Sequence, residues 1–206
     1  VKHLRIKGNS KLDPQSIINA SGSTFPQPLL LINPKELERT LLIMLPVKAV
    51  SIRKQLIPPR LEIELQERKS IAYATRKSSQ GPYENGVLDK DGQWMSMKIA
   101  KLGDPPTTQI IVEGWTKNDQ KRISIILRER RKIGNDLEKI ILSPTGELSL
   151  KTKEFKLIQL GSDKSQLIKQ LQAFTELKRT LPKRLRNKND SSIDLRDPLK
   201  PELQIP

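Results

Sequence analysis

The sequence predicts an α+β fold in two parts. A small strand–helix–helix–strand–strand domain over residues 1–72 is followed by a β-rich domain over 73–206 with a helix near the C-terminus. Three observations predict it. Residues 61–72 read LEIELQERKSIA, in which Leu61, Ile63 and Leu65 alternate with Glu62, Glu64 and Gln66, the period of a strand with one face buried and one wet. Two helical patterns opened by proline stand before that strand. After residue 72, turn signals recur at short intervals and only one long apolar stripe is present. Bulk composition agrees: 206 residues with 35% apolar and 3% aromatic side chains fit two modest cores built from Leu, Ile and Val.

The elements follow in order. Leu4 and Ile6 lie on one side of a first strand, His3 to Lys7, which Gly8-Asn9 breaks. Asp13 is placed to cap a short helix over Pro14 to Ala20, with Pro14 at its first position. Asn33, Pro34 and Glu36 have the spacing of a second helix start, with Ile32 and Leu37 as a hydrophobic staple. Leu37, Leu41, Met44 and Leu45 recur at helical spacing until Pro46. Val50 and Ile52 alternate in the next strand, and Leu56-Ile57-Pro58-Pro59 turns the chain into Leu61.

Further on, Lys77 to Asn85 reads as a polar loop. Asp89-Lys90-Asp91-Gly92 reads as a hairpin turn between Val87-Leu88 and Trp94-Met95. Ile110 to Val112 and Ile123 to Leu127 read as short strands. A second hairpin turns at Pro144-Thr145-Gly146, between Leu137 to Ser143 and Glu147 to Lys151. Phe155 to Leu160 is another strand. Lys164 to Leu181 is a helix with a stripe of Leu167, Leu171, Phe174, Leu177 and Leu181, then a basic linker, Lys183 to Asn189, then a strand, Ile193 to Arg196. The tail holds Pro198, Pro201 and Pro206, so a strand there belongs at an edge.

The chemistry of common enzymes is missing. There is one histidine, His3, and no cysteine, so no thiolate zinc site can be assembled, and His3 on the first strand is read as structural or surface. Asp89 to Gly92 lacks the third oxygen ligand and the distal Glu of a calcium loop. Glu62 and Glu64 read as a solvated strand face. Asn19-Ala20-Ser21 and Asn189-Asp190-Ser191 fit the glycosylation sequon, a tripeptide that arises easily by chance. No catalytic, metal or cofactor site is expected.

A net charge of +15 draws the chain toward polyanions, whether nucleic acid, anionic lipid or acidic wall polymer. The basic clusters are Arg128 to Lys132, read as a wet strand edge, and Lys178 through Lys188. Aromatic residues are not interleaved with them, so specific nucleic-acid binding is not expected. No run of 18 apolar residues is present to span a membrane. The chain opens at Val1 on a strand pattern and is expected to be an excised fragment or a processed chain, any signal or anchor lying upstream.

Four stretches carry a resemblance. Leu4-Arg5-Ile6-Lys7-Gly8-Asn9, Val50 through Ala72, Gly86 through Gly92 and Ile193-Asp194-Leu195-Arg196 together resemble, in order and spacing, the extracytoplasmic region of the bacterial cell-division family FtsQ, called DivIB in Gram-positive bacteria. The resemblance implies a POTRA domain, then a β domain, and a non-enzymatic scaffold on the outer side of the plasma membrane at the division septum. A single upstream membrane helix would anchor it. Its partners would be the bitopic proteins FtsB and FtsL, and its role the control of septal peptidoglycan synthesis.

The family docks FtsB just after the Asp-Leu-Arg strand, by strand addition. Here that segment supplies Arg196, Leu199, Lys200, Glu202, Leu203, Gln204 and Ile205. Pro198 and Pro201 depart from the family pattern and imply shorter, shifted or weaker pairing. A second candidate edge is Val50, Ser51, Ile52, Arg53 and Lys54. Contact with anionic lipid is a further expectation. Alternative readings are a POTRA module of an outer-membrane assembly or secretion protein, which would repeat the unit, and a basic nucleic-acid- or lipid-binding protein.

Overall fold

The computed structural model describes residues 4–22, 28–78, 81–134, 136–182 and 191–204. His3, the 183–190 linker with its sequon, and Ile205 lie outside these residues. The chain divides into two compact units, Val1–Ser70 with Met95–Pro105, and Ile71–Trp94 with Pro106–Pro206. Among the described residues no helix is long and apolar enough to cross a membrane.

The first unit runs β1 (Leu4–Lys7), α1 (Pro14–Ala20), a 3-10 turn (Leu29–Leu31), α2 (Pro34–Met44), β2 (Val47–Gln55) and β3 (Arg60–Glu67). This is the order read from the sequence. The caps form as the residue types dictate: the Asp13 carboxylate accepts the amides of Gln15 and Ser16, and the Asn33 side chain accepts that of Lys35. β3 is the centre of a three-stranded sheet, with β1 parallel on one side and β2 antiparallel on the other. Its alternation buries Leu61, Ile63 and Leu65 in one core with Ile17, Leu37, Leu41 and Leu45. Met44 does not join them. It is exposed because α2 ends there, and Leu45, already extended, turns inward in its place. On the wet face, Glu62 lies within ion-pair distance of Arg5, Lys7 and Arg60.

The turn after β1 is closed tightly. Gly8 has φ 79°, and a Cβ there would stand 2.0 Å from the Leu65 carbonyl oxygen, so only glycine fits. The carboxylate of Glu67 then accepts the backbone amides of Ser10, Lys11 and Leu12 and the Ser10 hydroxyl.

After β3 the chain runs β4 (Ser70–Ser78), β5 (Gly81–Asp89), β6 (Trp94–Ser96), α3 (Met97–Ala100), β7 (Ile111–Glu113), α4 (Gln120–Ile133), β8 (Leu137–Leu142), β9 (Leu148–Thr152), β10 (Leu157–Gly161), α5 (Leu167–Thr180), β11 (Ser192–Asp194) and β12 (Glu202–Gln204); the second unit takes these elements except Ser70, the end of β6 and α3, which fall in the first. The strands form one nine-stranded sheet in the order β12-β11-β10-β9-β8-β7-β4-β5-β6. Both hairpins read from the sequence are present, β5–β6 about Asp89 to Gly92 and β8–β9 about Pro144 to Gly146.

Two expectations are corrected here. Ile123 to Leu127 is not a strand but the middle of α4. β7 and β8 are parallel neighbours, and a parallel pair needs a crossover, which α4 supplies. Ile123, Ile126, Leu127 and Ile133 are the buried stripe of that helix. The basic residues Arg128 to Lys132 are therefore its last turns, where cations suit the carbonyl end, and not a strand edge. The described residues of Lys77 to Asn85 are not a loop: they belong to the end of β4 and the start of β5, and residues 79 and 80 lie outside the described residues. The pair is wet enough to be polar, and Arg76 faces Glu84 across it at 2.8 Å.

One buried cation ties this unit together. Arg122, in the first turn of α4, is 3% exposed and lies 3.2 Å from Asp119, which is 6% exposed. The Nη1 that meets Asp119 also donates to the Gly146 carbonyl oxygen at 2.9 Å, and Nη2 donates to the Gly161 carbonyl oxygen at 2.6 Å. The helix start, the β8–β9 turn and the end of β10 thus share one guanidinium.

Two outcomes follow. Arg122→Ala leaves Asp119 and two carbonyls without their buried donor and is expected to lower stability by about 3–5 kcal/mol, read as a reduced denaturant midpoint. The Glu67 carboxyl lies below its ordinary value of 4.5. Burial raises it, but the hydrogen bonds from Leu12, Lys11 and Ser10 together lower it more. A depressed carboxyl contributes stability that is complete above pH 4.5 and lost as pH falls toward the folded-state pKa. Glu67→Gln is therefore expected to lower stability at neutral pH and to flatten the acid limb of a stability–pH curve.

Candidate functional site

The segment singled out for partner docking sits at one end of the nine-stranded sheet. β11 is parallel to β10, with α5 as the crossover between them. β12 then folds back antiparallel on β11, pairing Ser192 with Gln204, Ile193 with Leu203 and Asp194 with Glu202. β12 is the last strand of the sheet, so its outer side is an edge. Ile193 and Leu195 are fully buried, and Leu203 packs against the same core.

The connection between the two strands is a built turn. Arg196 donates Nε to both carboxylate oxygens of Asp194, at 3.1 and 2.9 Å, and its own amide to Oδ1 at 2.9 Å. That pairing, the side-chain hydrogen bond first, holds the Asp194 carboxyl below its usual range and raises the Arg196 guanidinium. Asp197 accepts the Leu199 amide on its side chain and the Lys200 amide on its carbonyl. Leu199, 88% exposed, stands at the tip of the turn with Lys200 beside it. Arg196, Leu199 and Lys200 thus lie in the turn and Glu202, Leu203 and Gln204 in the strand; Ile205 lies outside the described residues.

The two prolines do not interrupt β12. Pro198 lies in the turn and Pro201 just before the strand, so Glu202, Leu203 and Gln204 keep their amides. What the prolines set is where the strand begins.

Gln170 is a residue that the sequence reading misses. It is 1% exposed, and its Nε2 donates to the Leu160 carbonyl at 2.7 Å and the Arg196 carbonyl at 3.4 Å. The amide of α5 thereby fastens the end of β10 to the turn after β11. A signal for it exists: Gln170 falls at i+3 within the stripe Leu167, Leu171, Phe174, a polar residue where the core is expected. Gly161 is the second such residue. It sits at a register shift between β9 and β10 with φ 71°, and a Cβ there would meet Arg196 Cγ at 3.0 Å.

The second candidate edge, Val50 to Lys54, lies on β2, which does form the outer strand of the three-stranded sheet. It is partly occupied. The Ile52 amide donates to Glu38 of α2 at 2.9 Å, and Lys54 reaches the Leu30 carbonyl at 3.4 Å. An incoming strand has to displace Glu38.

The basic clusters are largely engaged. Arg128 pairs with Asp91, Lys132 with Glu129, and Lys178 with Asp136 and Glu154. Lys183 to Lys188 lie outside the described residues. Among the described residues no group of three or more His, Asp or Glu is placed to hold a metal ion.

Residues 1–68 match the family model described as POTRA domain, FtsQ-type. These residues form a POTRA domain of the FtsQ type. The matched residues run from β1 to the end of β3 and hold the first and most of the second of the four stretches that carry the resemblance. Among solved structures, the chain is similar to the major extracytoplasmic domain of the trans isomer of the bacterial cell-division protein DivIB from Geobacillus stearothermophilus. The two are 17% identical with a TM-score of 0.35, over 57% of this chain and 99% of that domain. No curated protein matches the chain.

Two measurements probe the geometry of the C-terminal edge. Gln170→Leu keeps the volume but leaves the Leu160 and Arg196 carbonyls without their donor, with an expected cost of about 1–3 kcal/mol. Hydrogen exchange across residues 192–204 is expected to accelerate in the same variant, because the β11–β12 turn loses its link to α5.

Proposed function

We propose that this chain is a non-enzymatic scaffold of bacterial cell division. On this reading it is held at the septum by an upstream membrane helix, with the region described here on the outer side of the plasma membrane. It binds FtsB- and FtsL-like bitopic proteins and through them helps to regulate septal peptidoglycan synthesis. The observation that carries the docking mode is β12: a strand with intact amides at the end of a nine-stranded sheet, preceded by a rigid turn that projects Leu199 into solvent. The FtsQ-type POTRA domain supports the division role.

Physically, docking is completion of a ladder. An extended partner segment pairs with the outer side of β12. Three residues offer few backbone hydrogen bonds, each contributing about 0.5–1.5 kcal/mol net. Affinity therefore depends on side chains beside the edge. Leu199 offers an apolar surface, and Arg196 and Lys200 a positive rim that suits an acidic partner segment.

The test is binding of the chain to the extracytoplasmic segments of its FtsB- and FtsL-like partners at physiological salt. Truncation after Arg196 is expected to abolish binding. Leu199→Ser is expected to weaken it roughly tenfold with no change in stability, since the side chain is free of the core. Binding that survives truncation transfers the site to the β2 edge. Absence of binding by the intact chain, with folded partners, overturns the reading.

A further inference from the structure

The first unit carries a surface that the partner edge does not use. The 3-10 turn exposes Leu30 and Leu31 at 81% and 76%, and the β2–β3 turn exposes Leu56 and Ile57 at 62% and 89%. The two turns adjoin. Lys54, at the end of β2, bonds the Leu30 carbonyl, and Gln55 bonds the Ile57 carbonyl at 2.9 Å. Four large aliphatic side chains thus stand at one end of a small domain whose core is already filled by others. Apolar clusters of this kind on a basic protein mark a contact surface.

Charge narrows the partner. Residues 28–35 and 53–61 contain no Asp or Glu, while Arg53, Lys54 and Arg60 border the tip, Arg60 lying 3.8 Å from Glu62 on the wet face of β3. The strand register fixes where this tip lies in the domain. β1 runs parallel to β3 with Leu4 opposite Leu61, so the chain enters the sheet beside the β2–β3 turn and leaves β3 at the far end, after Glu67. On the localisation proposed above, on which this inference rests, the entering end is the one nearest the membrane.

We propose that the Leu30–Leu31 and Leu56–Ile57 turns form a membrane-contact tip. Their aliphatic side chains enter the headgroup boundary of an anionic bilayer while Arg53, Lys54 and Arg60 meet the lipid phosphates. Projecting side chains on two short turns suit shallow insertion.

The experiment uses the whole chain. Ile57→Trp places a fluorescent reporter at the tip; Trp94 and Trp115 are buried and supply a constant background. With vesicles of phosphatidylglycerol and phosphatidylcholine carrying brominated acyl chains, the fluorescence of the introduced tryptophan is expected to be quenched. Phosphatidylcholine alone is expected to give little quenching. Separately, Leu30→Ser/Leu31→Ser and Leu56→Ser/Ile57→Ser are each expected to lower co-sedimentation with the anionic vesicles roughly tenfold, with unfolding midpoints unchanged. Absence of quenching, or vesicle binding indifferent to the serine variants, overturns the tip and leaves only diffuse attraction. A spectral shift of the reporter on adding the bitopic partners, without quenching by lipid, overturns it in favour of a protein contact. The chain truncated after Arg196 is expected to keep its vesicle binding, so failure of the β12 reading and failure of this one are read separately.

Discussion

The Arg122 guanidinium is the constraint on which the second unit depends. A buried cation is costly unless paired, and here the two terminal nitrogens of Arg122 find partners in three parts of the chain, Asp119 before α4, Gly146 between β8 and β9, and Gly161 at the end of β10, while its Nε has none. Each carbonyl is presented by a glycine at positive φ, 84° and 71°, which lets the backbone turn its oxygen toward the helix. The arrangement fixes α4 over the sheet at the same point where β10 must end for α5 to begin.

From that point the C-terminal edge is assembled stepwise. Gly161 leaves room for the Arg196 stem. Gln170 then joins β10 to the Arg196 carbonyl, and Arg196 closes on Asp194. β12 is thus not a loose tail laid on a sheet. Its position is inherited through a short series of polar contacts that begin at the buried cation, and each link is a residue that a purely apolar core would not need.

Much of the first unit is legible because local signals agree with the tertiary structure. Asp13-Pro14 and Asn33-Pro34 start helices wherever they are not overruled, and the alternation in Leu61 to Gln66 admits one register. The second unit is less legible, for identifiable reasons. Ile123, Ile125 and Ile126 are β-branched and mimic a strand; only the parallel pairing of β7 with β8, invisible locally, demands a helix. β4 and β5 carry polar residues where they pair, so hydrophobic alternation cannot announce them. Met95 to Pro105 joins the first unit through contacts distant in sequence, such as Gly103 against Pro46. At the C-terminal edge, the location of β12 can be read, but its prolines look in sequence like defects within a strand, whereas in the fold they bound it. Glu67 has the look of a polar strand end, and nothing nearby in sequence shows that it receives three amides from the turn after β1.

The parallel pairing of β1 with β3 has a mechanical consequence. Tension applied through Leu4 at one end and through Glu67 at the other pulls the two strands lengthwise past each other. The Leu4–Leu61 to Lys7–Glu64 ladder then bears load in shear, all its hydrogen bonds together, instead of opening one at a time like a zipper. The Glu67 clasp on residues 10–12 lies in the same load path, because it joins the end of β3 to the segment that follows β1. A domain wired this way can transmit a pull along its length while its helices carry little of it.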